Sequence, residues 1–152
     1  MNLQEELKAL KERIAELEEQ VEQEKEFPQV EDDYWYVDGD AEVMLAVWYG
    51  DDYDKGRVSI DNVFKTKEQA EFAVEKLKVE AELRKYSRPF KEGENENWFI
   101  LWGTYKKEVL IDWSRKLVRQ GTIYFESRKK ANEAVESVGE NRIKKYLFGV
   151  ED

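Results

Sequence analysis

The sequence NVFKTKEQAEFAVEKL, Asn62–Leu77, returns 61 residues later as IYFESRKKANEAVESV, Ile123–Val138. In each copy an aromatic residue precedes a hydroxyl residue, and the hydroxyl residue precedes a segment with apolar side chains at spacings of three and four. Serine or threonine before such a segment is a typical helix N-cap, because its side-chain oxygen accepts a hydrogen bond from the first turn. The pattern predicts two similar units in tandem, each ending in a helix.

Apolar runs upstream of each copy predict the strands of these units. The pair Asp38-Gly39 separates two such runs and is a strong hairpin signal. The predicted strands are Tyr34–Val37, Ala41–Trp48 and Arg57–Phe64 in the first unit, and Trp98–Trp102, Glu108–Trp113 and Gly121–Phe125 in the second. On the first helix, one apolar face is predicted to be inward: Ala70, Ala73, Val74, Leu77 and Ala81. A second stripe, Phe72, Val79, Leu83 and Tyr86, is expected to pack on the other helix or on a dimer mate.

The N-terminal segment follows a heptad pattern. Leucine fills the three d positions and β-branched residues fill two of the three a positions, which favours a parallel two-stranded coiled coil. The g and e positions carry opposite charges, as in the pair Glu6 and Lys11. The predicted dimerisation residues are Leu3, Leu7, Leu10, Ile14, Leu17 and Val21. We therefore expect a homodimer; packing of this stripe on the chain's own body is the alternative.

The predicted fold is therefore α+β, with an N-terminal coiled-coil helix followed by two tandem β-β-β-α units that form antiparallel sheet with helices on one face. The predicted bounds are 1–26 for the coiled-coil helix, 27–33 for a linker, 34–88 for the first unit, 89–97 for a second linker and 98–152 for the second unit, which ends in a short helix.

The chain contains neither cysteine nor histidine. Thiol and imidazole chemistry, on which most nucleophilic, acid–base and metal-binding sites depend, is therefore excluded. The nearest approach to a metal site is Asp51, Asp52 and Asp54, but the following positions lack the ligand, glycine and glutamate of a calcium loop. The sequence therefore predicts no catalytic residue, no metal site and no cofactor, and it predicts a solvated turn at these aspartates.

The net charge of −10 is unevenly distributed. Residues 1–103 carry 14 basic and 27 acidic side chains, whereas residues 104–150 carry 11 basic and 6 acidic ones. Several of these basic residues surround the predicted start of the second helix, where they oppose the helix dipole, so helix stability does not explain them. The candidate partner-binding residues are Arg115, Lys116, Arg119, Arg128, Lys129, Lys130 and Tyr53. The alternative is that the cluster faces the chain's own acidic part. Trp48 and Trp113 are predicted to be core residues.

Three features of the chain resemble a family of small, uncharacterised accessory proteins of phages and prophages of Gram-positive bacteria. These are the opening Tyr/Trp strand, the Phe-x-Thr-x-x-x-Ala-Glu segment that begins at Phe64, and the closing Gly-Glu-x-Arg-Ile-Lys-Lys-Tyr, which ends at Tyr146. The resemblance extends from about Tyr34 to Val150. Asp61 stands where many relatives have glycine. The resemblance implies a phage context but no established activity or site.

The sequence thus predicts a non-enzymatic, dimeric, phage-encoded binding protein in the cytoplasm of an infected bacterial host. By analogy with that genomic setting, the expected partner is a host protein or ribonucleoprotein of a nucleic-acid-centred defence, as for anti-CRISPR or anti-restriction proteins. The alternative is a regulator that binds DNA or RNA directly through the basic second unit. The longest apolar run, Val43–Tyr49, is too short to span a bilayer, so no membrane role is expected.

Overall fold

The computed structural model describes residues 2–151 and has helices and strands in one α+β chain. In chain order the elements are α1 Leu3–Glu24, β1 Asp33–Val37, β2 Val43–Val47, α2 Asp52–Ser59, α3 Lys67–Arg84, β3 Asn97–Gly103, β4 Glu108–Ser114, α4 Arg128–Val138 and α5 Glu140–Arg142, with a π-helical turn at Ile143–Leu147. β1 pairs with β2, and β3 pairs with β4, so the strands of the described chain form two small two-stranded sheets.

The chain divides into two compact units. One comprises the chain up to Tyr36 together with Met44–Thr66, and the other comprises Val37–Val43 together with the chain from Lys67 onward. This division places α3 in the second unit, whereas the border predicted at residue 88 placed that helix in the first.

Helix α1 forms as predicted and is stabilised locally at its start. The Asn2 side chain accepts a hydrogen bond from the backbone N–H of Glu5 at 2.8 Å, and the Glu5 carboxylate accepts one from the N–H of Asn2 at 3.2 Å. This reciprocal pair is a capping box.

All six heptad side chains of α1 are exposed, by 43–83%. Packing of the stripe on the chain's own body, the alternative to dimerisation, is therefore wrong.

The third strand predicted for each unit is absent from residues 2–151. In its place a single residue makes an isolated antiparallel bridge, Phe64 with Trp35 and Phe125 with Trp98. Each bridge has two backbone hydrogen bonds of 2.8–3.0 Å. In the first copy, helix α2 covers Arg57–Ser59, the start of the predicted strand, and an irregular segment leads from there to the bridge. The two copies therefore share the bridge before the helix, but the arrangement β-β-β-α is not the one observed.

Helix α4 begins and ends where the sequence indicates. Ser127 is its N-cap and accepts a hydrogen bond from the N–H of Lys130 at 3.1 Å. Gly139 follows the last turn with φ of +99°, a backbone conformation that glycine adopts without steric cost. The buried side of α4 joins a core whose members are Val79, Leu83, Phe125, Ala131, Ala134, Val135, Val138 and Ile143.

Helix α3 buries two faces, as predicted, but only one of them along its whole length. On the second stripe, Val79 and Leu83 are fully buried in the core of the second unit, and Phe72 packs on the ring of Tyr146 with centroids 5.1 Å apart. That stripe is therefore satisfied within its own unit. Leu77 and Ala81, which were predicted to be inward, are exposed. They lie on the same face as the buried Ala70, two and three turns further on, where that face is uncovered.

Leucine in place of Ala70 or Ala131 is expected to destabilise the protein by about 1–3 kcal/mol, because both alanines are fully buried and the larger side chain would overpack the site. Urea unfolding of each variant measures this cost. The matched control is Ala81→Leu, an exposed alanine of the same helix α3, which should change the free energy of unfolding by less than about 0.5 kcal/mol. Equal stability of all three variants would contradict the assigned burial.

Candidate functional site

The hairpin of β3 and β4 determines which side chains of the second unit lie together. Trp98 pairs with Trp113, and Ile100 pairs with Ile111. Because side chains alternate along a strand, these two pairs share one face of the sheet, and Phe99 lies on the other. The isoleucines and Trp98 pack against the core formed with α3 and α4. The tryptophan pair therefore lies at the end of the sheet where β4 leaves and α4 begins.

Two arginines flank this tryptophan pair. The two rings lie with centroids 6.3 Å apart and planes tilted by 48°. The guanidinium of Arg128, the first residue of α4, lies 4.9 Å from the centroid of Trp98, and that of Arg115, just after β4, lies 5.1 Å from the centroid of Trp113. These distances are those of cation–π interactions. We call Arg128, Trp98, Trp113 and Arg115 the arginine–tryptophan ladder.

The ladder is open to solvent and keeps most of its positive charge. Trp113 is 40% exposed, and both arginines are exposed. Arg115 forms an ion pair with Glu96 at 3.6 Å, but both side chains are 42% exposed, and such pairs contribute little because water screens them. A surface of this kind offers a partner both apolar ring area and positive charge.

The structure divides the predicted partner-binding residues among three places. Arg115 and Arg128 belong to the ladder, and Lys129 and Lys130 follow Arg128 in the first turn of α4. Arg119 lies on the opposite side of the sheet, with its guanidinium 4.3 Å from the centroid of Phe99. The remaining two, Lys116 and Tyr53, are exposed, and Tyr53 lies on α2 in the first unit. Of the candidate residues, Arg115 and Arg128 are therefore the two that lie over the tryptophan pair.

Sequence reasoning missed the role of the tryptophans. Trp113 was assigned to the core, but it is exposed. Gly103 pairs with Glu108 at the hairpin turn. Five residues back from Gly103 is Trp98 and five residues on from Glu108 is Trp113, so a hairpin with its turn at this place makes the two tryptophans cross-strand neighbours.

The aspartates predicted to lie in a solvated turn start helix α2 instead. Asp51 is the N-cap: its side chain accepts a hydrogen bond from the N–H of Asp54 at 2.9 Å, and the Asp54 carboxylate accepts one from the N–H of Asp51 at 3.3 Å. This is again a capping box, here with aspartate at both positions. The spacing Asp-x-x-Asp was its signal in the sequence.

Asp54 is also the centre of a buried hydrogen-bond network. Its residue is 2% exposed. One carboxylate oxygen accepts from the Tyr34 hydroxyl at 2.5 Å, and the other accepts from the backbone N–H groups of Tyr49 and Gly50 at 2.8 and 3.0 Å. Arg57 in turn donates to the Tyr34 hydroxyl at 2.7 Å. Both carboxylate oxygens are engaged by protein donors, so this aspartate stabilises the first unit and is not available to a metal ion.

The network shifts the pKa values of Asp54 and Tyr34. Burial alone would raise the pKa of Asp54, but hydrogen bonds from Tyr34 and from the backbone N–H groups of Tyr49, Asp51 and Gly50 favour the carboxylate and hold its pKa below the ordinary value. Burial raises the pKa of Tyr34, and the hydrogen bond to Asp54 raises it further. Asp54 is therefore charged and Tyr34 neutral at physiological pH.

Other kinds of site are not found in the described chain. In residues 2–151 no group of three or more acidic side chains is placed to hold a metal ion. None of the helices described combines the length and the apolar character needed to cross a bilayer. Comparison of the chain with protein-family models, with curated proteins and with solved structures finds no match. The chemistry of the arginine–tryptophan ladder is therefore the main guide to function.

Proposed function

We propose that the protein is a non-enzymatic binding protein and that the arginine–tryptophan ladder contacts a partner protein. The observation that carries this proposal is the tryptophan pair, exposed at Trp113 and half-buried at Trp98, with an arginine over each ring. Tryptophan and arginine are the residue types most enriched among the few that dominate binding energy at protein interfaces. The hairpin, the core and the N-cap of α4 hold the four residues in place, so little ordering is needed when a partner binds.

The same geometry favours a protein partner over nucleic acid. Proteins that bind single-stranded nucleic acid stack its bases on open aromatic faces. Here the guanidiniums of Arg115 and Arg128 lie over the faces of Trp113 and Trp98, so a base would have to displace them. The net charge of −10 also opposes the approach of a polyanion. Direct DNA or RNA binding is therefore the second candidate function, supported by the basic residues that surround the ladder.

The proposal includes a homodimer and a host setting. We propose that the exposed heptad stripe of α1 pairs with a second copy of the chain, so that each dimer presents two ladders and gains avidity for a partner with two sites. On the resemblance to phage accessory proteins, we propose that the partner is a host protein or ribonucleoprotein of a nucleic-acid-centred defence, met in the cytoplasm of the infected cell.

We call the protein with Trp113, Arg115 and Arg128 all replaced by alanine the ladder variant. It is expected to bind the partner at least about 100-fold more weakly, because residues of this kind at an interface centre contribute about 2 kcal/mol or more each. The partner is first captured from a nuclease-treated lysate of a Gram-positive bacterium and identified by mass spectrometry. Its purified form is then titrated against each variant by biolayer interferometry.

The matched control for this experiment lies in the β3–β4 turn. Tyr105→Ala, Lys106→Ala and Lys107→Gly remove one exposed aromatic ring and two positive charges, as the ladder variant does, at the far end of the hairpin. Glycine replaces Lys107 because that residue has φ of +54°. Equal weakening by both variants would overturn the assignment to the ladder.

A gel-shift assay on random duplex and single-stranded DNA tests the second candidate. If DNA were the target, micromolar binding at physiological salt would fall steeply as salt rises, and the ladder variant would lose it. That result, without a nuclease-resistant partner, would reverse the ranking of the two functions.

A further inference from the structure

The second unit contains a cleft that is separate from the ladder. The segment that ends α3 and follows it, Arg84 to Phe90, forms one wall, and the loop from Val118 to Tyr124 forms the other. The cleft has a volume of about 470 Å³. Arg119 in its wall stacks on Phe99, which points to the opposite sheet face from Trp98. Ladder and cleft therefore belong to different faces of the β3–β4 hairpin.

Three arginines line the cleft, and no acidic side chain does. Arg88 is held rigidly by neutral oxygens: its guanidinium donates to the side-chain oxygen of Asn97 at 2.8 Å and to the backbone oxygens of Glu96 and Pro89 at 2.9 and 3.0 Å. Within residues 2–151, neither Arg88 nor Arg119 takes part in an ion pair. The positive charge of the cleft thus has no counter-charge in its lining.

Arg84 adds to this charge. Its one ion pair in the described chain is with Glu80 at 3.5 Å; the Arg84 side chain is 56% exposed and that of Glu80 is 20% exposed. Because Arg84 is exposed and its guanidinium has several N–H donors, an incoming carboxylate can share it with Glu80.

The lining also includes a buried tyrosine, Tyr124. Tyr124 is 5% exposed, and its hydroxyl oxygen accepts a hydrogen bond from the backbone N–H of Arg119 at 2.7 Å. Within the described chain the hydroxyl hydrogen has no acceptor. A hydroxyl that accepts from the protein and retains its own hydrogen can donate to an anionic ligand. It therefore adds a directed donor to the arginine charges.

Apart from Ser87 and Thr122, the rest of the lining is apolar, and it has no flat aromatic platform. Pro89, Phe90, Val118 and Ile123 supply the apolar area. The ring of Tyr124 meets those of Phe90 and Phe99 edge-on, at 70° and 86°, and all three are fully or half buried. Bases need an exposed ring face for stacking, so this lining suits aliphatic groups better than nucleobases.

We infer that this cleft binds an acidic linear peptide segment of a protein, with its carboxylates on Arg84, Arg119 and the Tyr124 hydroxyl and its aliphatic side chains against Phe90, Val118 and Ile123. The charge complementarity of an arginine-lined, carboxylate-free cleft determines the class of occupant. Both walls include exposed residues, so an extended chain can pass through without enclosure. This inference does not rest on the function proposed for the ladder.

Fluorescence anisotropy with the full-length protein tests the inference. The probe is a fluorescein-labelled hexapeptide that alternates aspartate and leucine. It is compared with hexapeptides that alternate lysine with leucine and aspartate with serine, with inorganic phosphate as a competitor and with a labelled six-nucleotide thymidine strand. The aspartate–leucine peptide should bind at least about tenfold more tightly than the other two peptides, since it alone matches both the charge and the apolar lining.

Variants assign the binding to the cleft. Arg84→Gln with Arg119→Gln should weaken binding of the aspartate–leucine peptide at least about tenfold, and Tyr124→Phe should weaken it about tenfold through loss of a hydrogen bond to a charged group. The ladder variant is the matched control and should change binding by less than about twofold, because its residues lie on the other sheet face. If the double variant unfolds, Arg119→Gln alone and amide shifts at Thr122 and Ile123 in the unaltered protein replace it.

Three results would overturn the inference. One is absence of binding by the aspartate–leucine peptide at millimolar concentration. Another is binding that the ladder variant loses and the cleft variants keep. The third is tighter binding of the thymidine strand, or full competition by phosphate at concentrations below that of the peptide, which would identify the cleft as a phosphate site. Failure of the ladder to bind a partner would leave each of these results unchanged.

Discussion

Asp54→Ala is expected to lower the free energy of unfolding of the first unit by about 3–5 kcal/mol, the cost of removing one member of a buried, charged hydrogen-bond network. The change leaves the Tyr34 hydroxyl and the backbone N–H groups of Tyr49 and Gly50 without their acceptor. It also removes one half of the capping box at the start of α2. Both losses act on the same few residues, so the unit should open locally before the rest of the chain.

Amide hydrogen exchange measures this effect at the residues concerned. The N–H groups of Trp48 and Lys55 keep their backbone acceptors in the variant, so they should exchange faster by a factor that corresponds to the lost free energy. Asp52→Ala is the control, because Asp52 is an exposed neighbour in the same first turn and should change stability by less than about 0.5 kcal/mol. Similar protection in Asp54→Ala and the unaltered protein would contradict the stabilising role of the network.

The network also predicts how this contribution depends on pH. Because the pKa of Asp54 is lower in the folded protein, the stabilisation is fully present above the unfolded-state pKa of about 3.9 and is lost as pH falls through the folded pKa. The stability difference between the unaltered protein and Asp54→Asn, which cannot titrate, should therefore be constant from neutral pH to about pH 5 and shrink below about pH 4. A difference that grows on acidification would have the wrong sign for this account.

The parts of the fold that the sequence predicts well are those with a local signal. α1 has a heptad pattern, α4 has a serine before it and a glycine after it, and the predicted strands of both hairpins lie within about two residues of those observed. In each case the residues that determine the element are neighbours in the chain. The bridge that joins Phe64 to Trp35 repeats at Phe125 and Trp98, so the internal repeat also extends to one tertiary contact.

The strand predicted at Arg57–Phe64 failed because a tertiary interaction outweighed local preference. Val58 and Ile60 have side chains typical of strands. Helix α2 instead extends over Arg57–Ser59, because the capping box starts it at Asp51 and the burial of Asp54 beneath Tyr34 fixes its first turn. The partner in that contact lies 20 residues away, beyond the reach of any local pattern.

The exposure of Trp113 was not predicted, because it also depends on a tertiary contact. Periodicity assigns Trp113 to the same strand face as Ile111, and that assignment is correct. It does not say how far along the strand the covering helix extends. In the structure that cover ends before Trp113, which is why Ile111 is half-buried and Trp113 is exposed beside Arg115.

Ile14→Asp is expected to convert the proposed dimer into a monomer at micromolar concentration, because it places a charge at a central a position of a coiled coil with only three heptads. Removal of residues 1–25 should do the same. Light scattering should give twice the chain mass of 18.1 kDa for the intact protein, 18.1 kDa for Ile14→Asp, and the mass of a single shortened chain for the variant without residues 1–25. Ala15→Asp is the matched control: it adds the same charge one residue further on, at an outward b position, and should leave the dimer intact.

The orientation of the two helices can be tested in the same chain. The protein has no cysteine, so Leu3→Cys introduces a single thiol at a d position near the start of α1. In a parallel dimer the two thiols meet and a disulfide forms under mild oxidation. In an antiparallel dimer they lie about 30 Å apart, the length of a helix of this size, and no disulfide forms. A dimer without cross-linking would show that the e and g charges do not set the orientation. A monomeric intact protein would remove the dimer from the proposed function and leave the ladder to bind as a single copy.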